Sequence, residues 1–167
     1  FYLPLSAVGN ESSPPVEQFG HAFEEVVIAD SSDLLAEPRD LEFHPGTPNQ
    51  LWIANRATDS ITIVDNTGLE NQTSENRRDS HRNHFLEEVS AIAFGAYHPE
   101  FDWQWGSAQE SANTYCGQGS PNNFMGPTLW PSSLTPFARE HQNDALLGSH
   151  IDMNHESPFG VGIAHDS

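Results

Sequence analysis

The chain predicts an all-β fold built from repeated units set around a common centre, and three observations carry that expectation. Three apolar, strand-like runs each end in a histidine and a turn. They are Asp40-Leu41-Glu42-Phe43-His44-Pro45-Gly46, Ala91-Ile92-Ala93-Phe94-Gly95-Ala96-Tyr97-His98-Pro99-Glu100, and Val161-Gly162-Ile163-Ala164-His165-Asp166-Ser167. A proline stands shortly upstream of two of them, Pro38 and Pro158, while Glu87-Glu88-Val89-Ser90 leads into the middle one. The residues after the first run read as a complete strand-turn-strand unit. An irregular repeat of this size, carrying strands and no helix, marks a radial β architecture. In such an arrangement the opening strands line a shared axis, where His44, His98 and His165 would face one another.

The elements follow in order. Residues 1–22, with Gly9, Pro14 and Pro15 among Ser, Asn and Glu, read as an extended lead-in. Phe23 to Ala29 is apolar and β-branched enough for a strand, closed by Asp30-Ser31-Ser32-Asp33. In the first unit, residues 38–68, Leu41 and Phe43 alternate with Asp40 and Glu42, the period of a half-buried strand. His44-Pro45-Gly46-Thr47-Pro48-Asn49 is a turn by composition. Leu51-Trp52-Ile53-Ala54-Asn55 and Ile61-Thr62-Ile63-Val64-Asp65 complete a three-stranded meander. Residues 69–84 offer almost nothing to bury and read as an exposed insertion. The second unit, residues 85–135, continues through Phe101-Asp102-Trp103-Gln104-Trp105 into a Ser/Asn/Gly/Pro-rich tract with Phe124, Met125, Leu129 and Trp130 as anchors. One or two helical turns are expected over residues 137–147. The third unit opens at Pro158 and is cut off at Ser167.

Composition excludes several function classes. The chain has 167 residues, enough for one sizeable core, and a formal net charge of −18 from 24 acidic residues against six arginines. Clustered cations are needed to neutralise phosphates, so nucleic-acid binding and docking on an anionic membrane are both disfavoured. No apolar run approaches the roughly 20 residues that span a bilayer. Cys116 is a lone cysteine, so no disulfide forms within the chain. Asn10-Glu11-Ser12 and Asn71-Gln72-Thr73 are sequons, consistent with an extracellular or secreted protein.

Pro38-Arg39-Asp40-Leu41, the His44-Pro45-Gly46 turn, and the strands Leu51 to Asn55 and Ile61 to Asp65 together resemble a blade of the NHL-type β-propellers. Ser157-Pro158-Phe159-Gly160-Val161-Gly162-Ile163-Ala164 is similar to that family's Pro-x-Gly-Ile-Ala blade opening, whereas Val89-Ser90-Ala91-Ile92 lacks the proline. The resemblance implies a partial β-propeller over residues 23–167: about two blades plus the first strand of a third, with long irregular insertions. Such a fragment cannot close a ring, so the remaining blades of a longer chain are expected partners.

Two readings of function follow, from different classes. In the first, the chain is a non-catalytic binding or scaffold module that presents Trp103, Trp105 and Trp130 to a protein, peptide or glycan. In the second, it is a metal-dependent lyase or hydrolase. Peptide-amidating lyases look similar in architecture, and that resemblance implies a divalent metal held by His44, His98 and His165 near the axis. Zinc suits imidazole and activates a bound water, and calcium is the other divalent candidate. The dense stretch His150-Ile151-Asp152-Met153-Asn154-His155-Glu156 supplies further candidate ligands in His150, Asp152 and His155. Against this, a His-Pro-Gly turn also ends propeller strands where no metal is present, and the His150 stretch also reads as a polar loop. The binding module is the preferred reading.

Overall fold

A computed structural model describes residues 27–79, 82–110, 127–133, 150–153, 160 and 162–166. Within them the fold is all-β, with two four-stranded antiparallel sheets whose strands follow chain order. The first sheet holds β1 (Pro38–Phe43), β2 (Leu51–Asn55), β3 (Ser60–Asp65) and β4 (Thr73–Arg77). The second holds β5 (Val89–His98), β6 (Asp102–Gln109), β7 (Thr128–Pro131) and β8 (Asp152–Met153). Among the described residues both sheets are open, and neither closes on itself. One short helical turn, α1 (Arg82–Phe85), joins them.

The sheets face each other across an aromatic core. Pairing puts Glu42, Trp52, Ile63 and Glu75 on one face of the first sheet, because cross-strand partners share a side. In the second sheet the facing row is Phe94, Trp105 and Trp130. Trp52 meets Trp105 edge-on with ring centroids 5.4 Å apart, and Trp105 stacks on Trp130 at 5.4 Å. Ala54, Ile61, Phe85, Leu86, Val89 and Ile92 complete the cluster. Each indole N–H is satisfied: Trp52 donates to Gln50 Oε1 at 2.8 Å, Trp105 to the Pro131 carbonyl at 3.2 Å, and Trp130 to Ser107 Oγ at 3.0 Å. The opposite face of the first sheet, built on Leu51, Ile53 and Val64, is packed by Ile28, Ala29 and Leu35. A buried polar row runs beside it. Asn55 Nδ2 donates to Thr62 Oγ1 at 2.8 Å, and Asn55 Oδ1 accepts the Ala36 N–H at 2.9 Å.

The two units share small devices as well as a strand plan. Each opening strand is entered through a glutamate in the left-handed region, Glu37 at φ 51° and Glu88 at φ 49°. Arg56 joins both, at 3.3 Å to Glu37 and 2.6 Å to Glu88, and reaches Glu110 at 2.8 Å. Asp59 Oδ1 accepts the Glu88 N–H at 2.8 Å, tying the β2–β3 turn of the first unit to the entry of the second.

Three expectations change. Residues 69–84 are not only an insertion, because Thr73–Arg77 pairs with β3 as a fourth strand. Among the described residues β4 pairs along one side only, and such a strand needs no apolar residues, so it left no periodic signal. Val27 to Ala29 is not a strand, and residues 23–26 lie outside the described set. In β1 the alternation holds, but the carboxylates face the second sheet while Leu41 and Phe43 are exposed. The helical turns expected over residues 137–147, and Cys116, lie outside the described residues.

The core predicts that Trp52→Ala costs about 3–5 kcal/mol, read as a lowered denaturant midpoint. Arg56→Met is expected to lower the thermal midpoint more at low salt than at high salt, because it leaves Glu37, Glu88 and Glu110 without their shared cation and salt screens partly exposed charges.

Candidate functional site

The three opening runs converge. A cleft of about 360 Å³ is lined by Asp40, Leu41 and Glu42 from β1, Ile92, Ala93 and Phe94 from β5, and Ile163, Ala164 and His165 from the last segment. These are corresponding stretches of the three units read from the sequence, brought together from positions far apart in the chain.

Side-chain chemistry explains the approach on each side of β5. That strand is the outer strand of its sheet, so alternate amides lack a ladder partner. Asp40 accepts the Ile92 N–H at 3.0 Å and Glu42 accepts the Phe94 N–H at 2.7 Å. The two carboxylates thus act as a substitute strand, which is why the acidic face of β1 turns inward. On the far face of the second sheet the residues are small: Ala91, Ala93 and Gly95 on β5, and Gly106 and Ala108 on β6. The last segment lies directly against them. A Cβ on Gly95 would run into the His165 ring, and one on Gly106 would sit 2.6 Å from Ile163 Cδ1. Gly160 N–H donates to the Gln109 carbonyl at 2.6 Å, and Ser90 Oγ donates to the Gly160 carbonyl. Ile163 also lines a second cavity of about 470 Å³, with Gly106, Leu129 and Met153.

The described candidate metal ligands are not gathered. Among the described residues no group of three or more His, Cys, Asp and Glu side chains could hold a metal ion. His44 Nδ1 accepts the Gly46 N–H at 3.1 Å, and His98 Nδ1 accepts the Glu100 N–H at 3.1 Å. Both histidines therefore close their own His-Pro-x turn, and the ring nitrogen that would ligate is spent on an amide two residues ahead. His44 is buried, 4.9 Å from the Phe94 ring and 5.9 Å from the Trp52 ring. His98 stacks on Phe101 at 4.6 Å. His165 is exposed and lies over Gly95 at the cleft. His150 is buried, 4.2 Å from the Phe85 ring, whereas Asp152 is exposed on β8 with Oδ1 accepting the Met153 N–H at 2.9 Å. His155 lies outside the described residues.

Two of the three tryptophans expected to meet a partner are core residues instead: Trp105 is 1% exposed and Trp130 0%. Alternation alone does not tell which face of a strand meets another sheet. Trp103 is half-buried, covers Gly46, and packs edge-on to the exposed Tyr97 at 5.8 Å. The Phe94–Tyr97 register shift in β5, a bulge at Gly95 and Ala96, sets Tyr97 opposite Trp103. Sequence reasoning missed Asp40 and Glu42 as amide acceptors, and Arg56. It also passed over Gly106, whose place inside a strand was the available signal for close approach.

Burial pushes the His44 imidazole below its ordinary value, against a smaller pull from Asp102. Among the described residues no helix is long and apolar enough to cross a membrane. Comparison of the chain with protein-family models, curated proteins and solved structures finds no match.

Two outcomes are expected. Because the folded chain holds His44 neutral, its contribution to stability is present above about pH 6.5. It is lost as pH falls through the lower folded value. Denaturation midpoints of the native chain should fall across that window, and those of His44→Asn should fall less. Gly106→Val should dislodge the last segment, raising amide exchange at Gly160 by at least tenfold while exchange in β2 and β3 stays unchanged.

Proposed function

We propose that the chain is a non-catalytic binding module whose two sheets are successive blades of an NHL-type β-propeller, with residues 158–167 opening a third. Its ligand, a protein, peptide or glycan, is met where the inner strands end, at the cleft and the neighbouring Tyr97 and Trp103. The observation that carries the reading is the cleft itself. Three corresponding runs line it, as the innermost strands of adjacent blades line a propeller axis. The sequential four-strand meanders and their face-to-face stacking support the same reading.

The cleft suits binding better than chemistry. Asp40 and Glu42 are engaged by backbone amides, and Leu41, Ile92, Phe94 and Ile163 share the lining with them. Aromatic side chains with an exposed edge provide large contact area at small entropic cost. The exposed Asn71 fits an extracellular location.

Of the four tryptophans, Trp52, Trp105 and Trp130 are buried, so a water-borne quencher reaches Trp103 first. Acrylamide quenching titrated against neutral oligosaccharides and against basic peptides should show saturable protection by one class, lost in Trp103→Phe. Elemental analysis alongside should find no stoichiometric zinc or calcium. A bound metal at one per chain, lost in His165→Ala, would overturn the proposal in favour of a metal-dependent enzyme.

A further inference from the structure

The sequon Asn71-Gln72-Thr73 sits in the turn between β3 and β4, and the fold treats its three residues differently. Gln72 is turned inward as the anchor: its Oε1 accepts the Gly68 N–H at 2.8 Å, and its Nε2 donates to the Ile28 carbonyl at 2.8 Å. The turn is closed by the Gln72 N–H on the Leu69 carbonyl at 3.0 Å and the Leu69 N–H on the Asn66 carbonyl at 2.9 Å. Asn71 and Thr73, the two residues a glycosylating enzyme reads, are both exposed. A glycan on Asn71 would therefore project from a firmly held turn without displacing packed side chains.

The same turn leads directly into β4, which among the described residues is the outer strand of the first sheet. An outer strand presents unpaired amides and carbonyls on which a second chain can template. Thr73, Ser74, Glu75, Asn76 and Arg77 carry no proline, and pairing with β3 is regular along the strand. A bulky hydrophilic group on Asn71, two residues ahead of the strand's first residue, is a direct way to crowd the start of that edge.

We propose that Asn71 is an N-glycosylation site whose glycan guards the β4 edge against pairing with another chain. The donor is a lipid-diphosphate-linked oligosaccharide. The Asn71 side-chain nitrogen bonds to the anomeric carbon of the first sugar and gives up one proton to solvent. The bond from that carbon to the diphosphate oxygen breaks, and the lipid diphosphate leaves with the electron pair. The inference rests on the extracellular reading above, and the experiment separates the two.

The full chain is sent into the secretory pathway of a eukaryotic cell, with Asn10→Gln to silence the other sequon and a reporter sequon on an appended tag. Cells and medium are read together by mass spectrometry. Molecules glycosylated on the tag should also carry a glycan on Asn71, removable by peptide N-glycosidase. The glycan should be absent in Asn71→Gln and Thr73→Ala and retained in Thr73→Ser. Enzymatic removal should raise light-scattering association at least severalfold. Tag-glycosylated molecules with a bare Asn71 would overturn the site. A glycan whose removal leaves association unchanged would overturn its guarding role. Where the native protein resides is measured separately, by fractionation of its own cells, and that result bears on the extracellular reading alone.

Discussion

The edge-on contact of Trp52 with Trp105, continued by the stack of Trp105 on Trp130, is the interaction on which the remaining structure depends. A four-stranded antiparallel sheet has two faces and can bury neither alone. These three indoles, each burying roughly 150–250 Å², supply much of the apolar surface that makes two thin sheets into one core. Their N–H groups end on Gln50, Pro131 and Ser107, so the gain is not offset by stranded donors. With the sheets held face to face, the opening strands β1 and β5 are brought side by side, and the cleft between them follows from that placement.

Polar side chains then fix the register of the two units at both ends. At the entry end Arg56 holds the equivalent residues Glu37 and Glu88. Along the strands Asp40 and Glu42 occupy the free amides of β5. At the turn end His44 and His98 close matching His-Pro-x turns through the same ring nitrogen and at the same distance. The internal repeat is therefore physical as well as textual. Positions that look chemically active in the sequence serve to terminate strands and seat one unit on the next.

Much of the strand plan was legible. The alternation in residues 40–43, the turn residues at 44–49, and the aromatic run at 101–105 predict β1, β2, β3, β5 and β6, because a sheet face buried on a partner leaves a period-two trace. β4 and β8 were not legible, since Thr73–Arg77 is polar throughout and Asp152–Met153 is two residues long. The site was legible as a place and not as a chemistry. The three runs were expected to converge as strands; they do line one cleft, but residues 162–166 form no strand, and which residues point into the cleft depends on the face each strand presents. That choice turned Asp40 and Glu42 toward the second sheet, left Leu41 and Phe43 exposed and set Trp105 and Trp130 in the core, and no local pattern encodes it. Gly95 and Gly106 carried the one readable hint that another segment passes close by.

The central claim is that the two sheets and the last segment form consecutive layers of one stack, with their opening runs at a common cleft. Inter-proton NOEs on isotope-labelled chain test it most directly. The account predicts cross-peaks between the Trp52 and Trp105 rings together with cross-peaks from the Ile163 δ-methyl to the Gly106 α-protons. Strong cross-strand peaks within each sheet, with neither of these interlayer contacts, would contradict it.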